Sequence, residues 1–340
     1  MDGLGKVIFV GAGPGDPGLV SYKAIRSIKQ ADVIIYDRLV NPILLQLSKP
    51  ECELIYVGKN PDVKYKAQDE INRIINEKAS LGLTVVRLKG GDPGIFGRLS
   101  EEIDSLNGKY PHVVIPGITS ASAAGLYAGF PLTDRAYSPH VTFSTGHLQK
   151  DSMKEIDFQA LAKGGTLALY MGMKALPEIV QVLSSNMDAH LKVAVIGNAS
   201  YGYQKTVIGN LSNIIDLVTE ARITHPAMII IGDVVNVRDG LSWYEQLPEF
   251  GVRKLYVSLD SIDKEMILEM YDQGGFYYVI DQLNNETFQN KYKHIHEDIL
   301  SIHGFDEVIA DHLDSITSVE EMYNIKINPS KIKINESLNK

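Results

Sequence analysis

The sequence predicts an α/β protein built on a parallel sheet, and three observations carry that prediction. Short apolar runs recur at residues 7–10, 33–36, 84–88 and 112–115, as strands buried on both faces require. Between them fall stretches of helical spacing, clearest over 68–81, where apolar residues stand at 71, 74, 75 and 79. The connections are short and rich in Gly and Pro, the punctuation of βαβ units.

In chain order, the spacing predicts a strand at 7–10, a helix at 20–30 and a strand at 33–36 ending in Asp37. A short helix follows Asn41-Pro42 over 42–48, then a strand at 53–57 ending at Gly58-Lys59. The helix 68–81, strand 84–88, helix 97–106 and strand 112–115 complete a first domain, residues 1–116. A second α/β domain, 117–248, opens on an Ala/Gly-rich helix at 119–128. It has strand candidates at 141–144, 166–170, 193–196 and 227–231, and helices at 153–162, 175–184 and 211–221. Residues 249–340 form a small α/β appendage with strands at 254–258, 276–280 and 307–310 and helices at 262–272 and 286–303. The last ten residues are polar and are expected to fray.

The chain is organised around Val10-Gly-Ala-Gly-Pro-Gly-Asp-Pro-Gly18, which places backbone at the carboxyl end of the first strand. Open α/β sheets bind ligands at that edge. Gly11, Gly13 and an acid at Asp37 imitate a dinucleotide fingerprint. The third glycine position, however, is Asp16, and Pro14 and Pro17 remove N–H groups that a pyrophosphate would need. The loop suits a cofactor without phosphates, which argues against a dinucleotide-dependent oxidoreductase.

Composition narrows the classes further. The 340 residues are 44% hydrophobic and 22% charged, as in an ordinary soluble protein. Net charge is -9, which gives no bulk attraction to nucleic acid or anionic membrane. Residues 250–340 carry 16 acidic and 9 basic side chains, so the acidity belongs to the appendage. A lone cysteine, Cys52, excludes an intrachain disulfide and a thiolate metal cluster and fits a reducing cytosol. No signal peptide and no membrane-length apolar run is read, so a cytoplasmic location is expected. His140 and His147 lack partner ligands at sensible spacing, and no metal is expected.

Two further Gly/Pro loops, residues 90–94 and 116–120, fall at the same predicted sheet edge. Asp37 and Lys59 each end a strand there; they are an acid/base pair facing a cleft or, more plainly, a solvated surface pair. Arg38, Arg87, Lys89, Arg98, Arg135, His140 and His147 lie near the same loops and would suit a polycarboxylate if they converge. Tyr170-Met-Gly-Met173 ends a strand of the second domain, where Met171 is core filler or a ligand contact.

Taken together the loops resemble the uroporphyrinogen-III C-methyltransferases of the tetrapyrrole methylase family. The resemblance rests on the first loop, Tyr36-Asp-Arg-Leu-Val40, Val57-Gly-Lys59, Gln68-Asp-Glu-Ile-Asn72 and Val86-Arg-Leu-Lys-Gly-Gly-Asp-Pro93. Phe96-Gly-Arg98, Ile115-Pro-Gly-Ile-Thr-Ser120, Gly129-Phe-Pro-Leu-Thr-Asp-Arg135, Val141-Thr-Phe-Ser-Thr-Gly-His147 and Leu169-Tyr-Met-Gly172 extend it over about residues 5–245.

The resemblance implies a two-domain methylase, usually a homodimer, that uses S-adenosylmethionine and no metal. It implies methylation of uroporphyrinogen III at two ring carbons, through precorrin-1 to precorrin-2, on the way to siroheme and cobalamin. Pro14, Gly90, Gly91, Asp92, Ile95, Thr119, Ser120, Met171 and Ala199 would then line the cofactor site. Asp37 is similar in position to the family's proton acceptor and Lys59 to its proton donor. Ala199 stands where relatives commonly have glycine, and Gly94-Ile95 where they often have two bulkier residues. The same fold also hosts methylases acting later in corrin synthesis, a second reading. Residues 249–340 lie outside the resemblance; they are too short for a fused synthase and lack the Gly-x-Gly loop of a fused dehydrogenase.

Overall fold

The structure is a computed structural model that describes residues 4–58, 68–146, 156–302 and 304–338. By its contacts the chain divides into two compact units. One combines Met1–Ile118 with Gly251–Lys340, and the other is Thr119–Phe250.

The first unit begins with β1 (Lys6–Gly11), α1 (Tyr22–Gln30), β2 (Val33–Tyr36), β3 (Glu53–Tyr56), α2 (Gln68–Ser80), β4 (Thr84–Lys89), α3 (Leu99–Ser105) and β5 (His112–Ile115). The strands align in the order β3-β2-β4-β1-β5, all parallel. Val7, Phe9, Val33, Ile35 and Val85 pack with Ile71, Ile74 and Ile75 of α2 in one core, which is why that helix shows its apolar spacing. The chain leaves β1 toward β2 on one side and β4 toward β5 on the other. The loops after β1 and β4 therefore meet at the switch point of the sheet, where such folds place ligands. The predicted helix at 42–48 is a 3₁₀ turn, Pro42–Leu47, capped by the Asn41 side chain.

In the second unit, α4 (Ser120–Tyr127), β6 (Val141–Thr145), α5 (Phe158–Ala162), β7 (Thr166–Tyr170), α6 (Leu176–Ser184), β8 (Lys192–Gly197), β9 (Lys205–Asn210), α7 (Ile214–Glu220) and β10 (Ala227–Ile231) surround a sheet of order β6-β7-β10-β8-β9. Only β6 and β7 are parallel; the other three pairings are antiparallel. The sequence reading lacked β9, whose one-sided, half-buried pattern is less apolar than its neighbours.

The remainder of the first unit holds β11 (Arg253–Val257), α8 (Lys264–Met270), β12 (Phe276–Ile280), α9 (Glu286–Ile302), β13 (Glu307–Ala310), α10 (Leu313–Tyr323) and β14 (Ile332–Ile334). These form a parallel sheet of order β12-β11-β13-β14. The expectation that the last ten residues fray is corrected here: Ile332–Ile334 joins the ladder beside β13, and backbone pairing holds a polar segment that burial alone would not.

Candidate functional site

Three loops of the first unit interlock. The Gly13 N–H donates to Gly91 O at 3.2 Å and the Gly91 N–H returns to Gly13 O at 2.6 Å. Asp92 accepts from Gly94 N–H at 2.7 Å and, through its other oxygen, from Gly117 N–H at 3.0 Å. Contact is close enough to exclude side chains: a Cβ on Gly117 would stand 2.2 Å from Gly91 O, and one on Gly11 would stand 2.5 Å from Gly117 N. Asp16 caps the turn Pro17–Leu19 by accepting from Gly18 N–H. The N–H groups of Gly13, Gly18, Gly91, Gly94 and Gly117 are thus satisfied within the loops, and Pro14 and Pro17 have none to give. This is no phosphate cradle, but it is a backbone surface that a flat, phosphate-free ligand can approach. Pro14, Gly90, Gly91, Asp92 and Ile95 all belong to these loops and are partly buried.

Asp37 follows β2 directly and is half-buried. Its Oδ1 accepts from Leu39 N–H at 3.1 Å, and its Oδ2 lies 3.6 Å from Arg87 Nη2. Arg87 and Lys89 project from β4 onto Glu102 of α3. Arg87 Nε donates to one carboxylate oxygen at 3.2 Å and Lys89 Nζ to the other at 2.8 Å. Glu102 is 0% exposed. Burial holds the Lys89 ammonium below its ordinary pKa, the Arg87 charge lowers it further, and Glu102 opposes both. Arg87 and Lys89, read from sequence as groups for a polycarboxylate, are buried partners of Glu102 instead. Sequence reasoning missed Glu102; a lone acid on a short helix carries no signal of its partners. Arg98 pairs with Glu101 at 2.5 Å, while Arg38, Arg135 and His140 are exposed. Lys59 and His147 lie outside the described residues.

In the second unit the carboxyl ends of β6, β7 and β8 share one edge of the sheet. Thr119 precedes α4 without capping it, because its hydroxyl is 2.5 Å from Tyr170 Oη at the end of β7. Ala121 N–H also reaches Tyr170 Oη, at 3.3 Å. Met171 comes next, held in the left-handed region at φ 56° and 58% exposed. An apolar side chain presented to solvent from a conformation that favours glycine is a feature functional sites retain. After β8, Asn198 and Ser200 repeat the conformation at φ 49° and 65°, with Ala199 buried between them. The structure so brings Thr119, Ser120 and Met171 together around Tyr170 and sets Ala199 at the same edge.

A cavity of about 260 Å³ lies elsewhere in the first unit, lined by Gln46, Ser48, Lys264, Gln282 and Phe288 among others. Among the described residues no group of His, Cys, Asp or Glu side chains is arranged to hold a metal ion, and no helix is long and apolar enough to cross a membrane.

Residues 6–215 match the family model for tetrapyrrole (corrin/porphyrin) methylases. The chain belongs to that family. It is 44% identical over 277 residues to a uroporphyrinogen-III C-methyltransferase of Bacillus subtilis (strain 168), covering 80% of this chain and 56% of that one. It is 46% identical over 244 residues to a siroheme synthase of Pseudomonas aeruginosa (strain UCBPP-PA14), covering 71% and 52%. This methylase chain therefore spans about half the length of the curated relatives it matches. The crystal structure of a Thermus thermophilus uroporphyrin-III C-methyltransferase, complexed with S-adenyl homocysteine, superposes with a TM-score of 0.59 at 35% identity. That match takes in 99% of the Thermus chain and 68% of this one.

Proposed function

We propose that this chain transfers methyl groups from S-adenosylmethionine to two ring carbons of uroporphyrinogen III, giving precorrin-2 by way of precorrin-1. The observation that carries the reading is the interlocked loop set around Gly13, Gly91 and Gly117, whose amides are already satisfied and whose backbones approach too closely at Gly11 and Gly117 to admit a side chain. It fits an adenosyl cofactor and disfavours a dinucleotide. The names of the relatives supply the substrate.

Pro14, Gly90, Gly91, Asp92 and Ile95 are assigned to the cofactor, and the same role is carried for Thr119, Ser120, Met171 and Ala199. When bound, the cofactor supplies an electrophilic methyl on sulfonium sulfur. The protein's task is to hold donor and ring carbon in line and to take up the proton that leaves after attack. Asp37 is the acceptor. Leu39 N–H and the Arg87 guanidinium fix its orientation, and general-base help of this kind is worth about 10²–10⁴ in rate. Lys59 is assigned as proton donor. The active form is a homodimer, and the product serves siroheme or cobalamin synthesis.

The test is incubation with uroporphyrinogen III and S-adenosylmethionine, read by product mass, beside calorimetry with S-adenosylhomocysteine and NAD. Two added methyl groups and binding of S-adenosylhomocysteine alone are expected. No added methyl, or binding of NAD alone, would refute the proposal. Asp37→Ala should keep S-adenosylhomocysteine affinity and lose turnover by about 10²-fold or more.

A further inference from the structure

The C-terminal segment grips the stretch that carries Asp37 from both sides. On one side Tyr36, the residue before Asp37, is 5% exposed, and its hydroxyl lies 2.7 Å from His294 Nε2 of α9. On the other, Asn41 is 2% exposed and its Nδ2 donates to Gly15 O at 2.8 Å. The same nitrogen lies 3.5 Å from Tyr271 Oη, and that hydroxyl donates to Tyr277 O of β12 at 2.6 Å. A chain of hydrogen bonds thus runs from the C-terminal sheet through Tyr271 and Asn41 into the loop at Gly11–Gly18. Three more ties extend the grip. Gln46 Nε2 donates to Val279 O at 2.8 Å, Lys291 Nζ to Lys49 O at 2.8 Å, and Tyr292 Oη to Leu45 O at 3.2 Å.

The contacts through Asn41, Tyr271, Gln46 and Tyr292 are buried and those of His294 and Lys291 part-buried; polar contacts removed from water hold geometry because leaving them unmade is costly. They do not fall at random on the first domain. They fall on residues 36 and 41–49, with Asp37 between them, and on the turn that follows Pro14. The Thermus match takes in 99% of that chain and 68% of this one, so about a third of this chain has no counterpart in that structure. The Bacillus relative is different: its match covers 80% of this chain, more than the 250 residues before Gly251, and so enters the C-terminal segment.

We propose that the C-terminal segment is a built-in positioning module for methyl transfer, with His294 and Tyr271 as positioning residues that set Asp37 and the cofactor loop. Neither residue belongs to the loops assigned to the cofactor, and each acts through an intermediate residue. His294 acts on Asp37 through Tyr36, and Tyr271 acts on Gly15 through Asn41. The inference rests on the methyltransferase reading above.

The experiment uses the full chain with His294→Leu, His294→Gln, Tyr271→Phe and the wild type. It reads kcat and KM with uroporphyrinogen III, S-adenosylhomocysteine affinity by calorimetry, and the thermal midpoint. His294→Leu is expected to lower kcat about tenfold with cofactor affinity within twofold. His294→Gln, which can still bond the Tyr36 hydroxyl, is expected to restore most of that loss. Tyr271→Phe keeps the ring packing and is expected to weaken S-adenosylhomocysteine about three- to tenfold. A purely structural role would lower the midpoint in His294→Leu and Tyr271→Phe and leave kcat, KM and affinity at wild-type values in every variant at a temperature where the chain is folded; that result overturns the positioning role. An inactive wild type would instead bring down the methyltransferase reading and this inference together.

Discussion

Glu102 receives the guanidinium of Arg87 at 3.2 Å on one carboxylate oxygen while carrying no exposure of its own. Lys89 occupies the other oxygen at 2.8 Å. The two cations therefore share one fully buried anion, and Arg87 bridges it to the part-exposed Asp37 at 3.6 Å.

Glu102→Gln is expected to be severe although it preserves shape. It removes the charge that compensates two buried cations, and breaking one partner of such a network costs about 3–5 kcal/mol. A urea titration should show the loss as a lower midpoint. Turnover should fall as well, since Arg87 is released from the position in which it faces Asp37. A variant with wild-type stability and turnover would remove the network from both accounts.

Gly117→Ala tests the loop junction. The new methyl would stand 2.2 Å from Gly91 O and 2.8 Å from Gly11 Cα, both backbone atoms with little room to yield. The loops must part, which breaks the Gly117 N–H bond to Asp92. Calorimetry with S-adenosylhomocysteine should show affinity weaker by about tenfold or more, a loss of about 1.4 kcal/mol. The thermal midpoint should fall as well, because the clash is with backbone on both sides, so affinity is compared at a temperature where both proteins are folded. Unchanged affinity would separate this junction from the cofactor.

The features that could be read from sequence are those carried by local pattern. Residues 33–36, 166–170 and 227–231 are strands with the expected bounds, since strands in the middle of a sheet must be continuously apolar or nearly so; residues 112–115 also have the expected bounds, but β5 is an edge strand with its first three residues exposed, not the strand buried on both faces that its apolar run predicts. The Gly/Pro loops were legible for a related reason: close backbone approach admits few residues other than glycine. What was hidden depends on partners far along the chain. Arg87 and Lys89 carry the charge of substrate-binding residues, and nothing local tells that Glu102 neutralises them. Tyr36 and Gln46 meet His294 and Val279 more than 230 positions later, so the docking of the C-terminal segment had no sequence signal. Met171 is legible as a residue at a strand end, but its left-handed backbone at φ 56° is not.

His296 makes the C-terminal segment sensitive to acid. The ring is buried among Tyr278, Tyr292 and Tyr323, with Nδ1 2.8 Å from Tyr278 Oη and Nε2 buried without a hydrogen-bond partner among the described residues. Burial lowers its pKa from 6.5 to about 3, and the charges of Lys264 and His294 push the same way. The unfolded chain therefore takes up a proton here below about pH 6.5, whereas the folded chain does so only near pH 3. Stability from this group is complete above that window and is lost as pH falls through it. At ~1.4 kcal/mol per pH unit the loss reaches roughly 2 kcal/mol by pH 5. Urea midpoints at pH 7.5 and pH 5 should differ accordingly in the wild type. They should differ less in His296→Gln, which cannot titrate and still offers Tyr278 a partner. An equal drop in both proteins would place the acid sensitivity elsewhere.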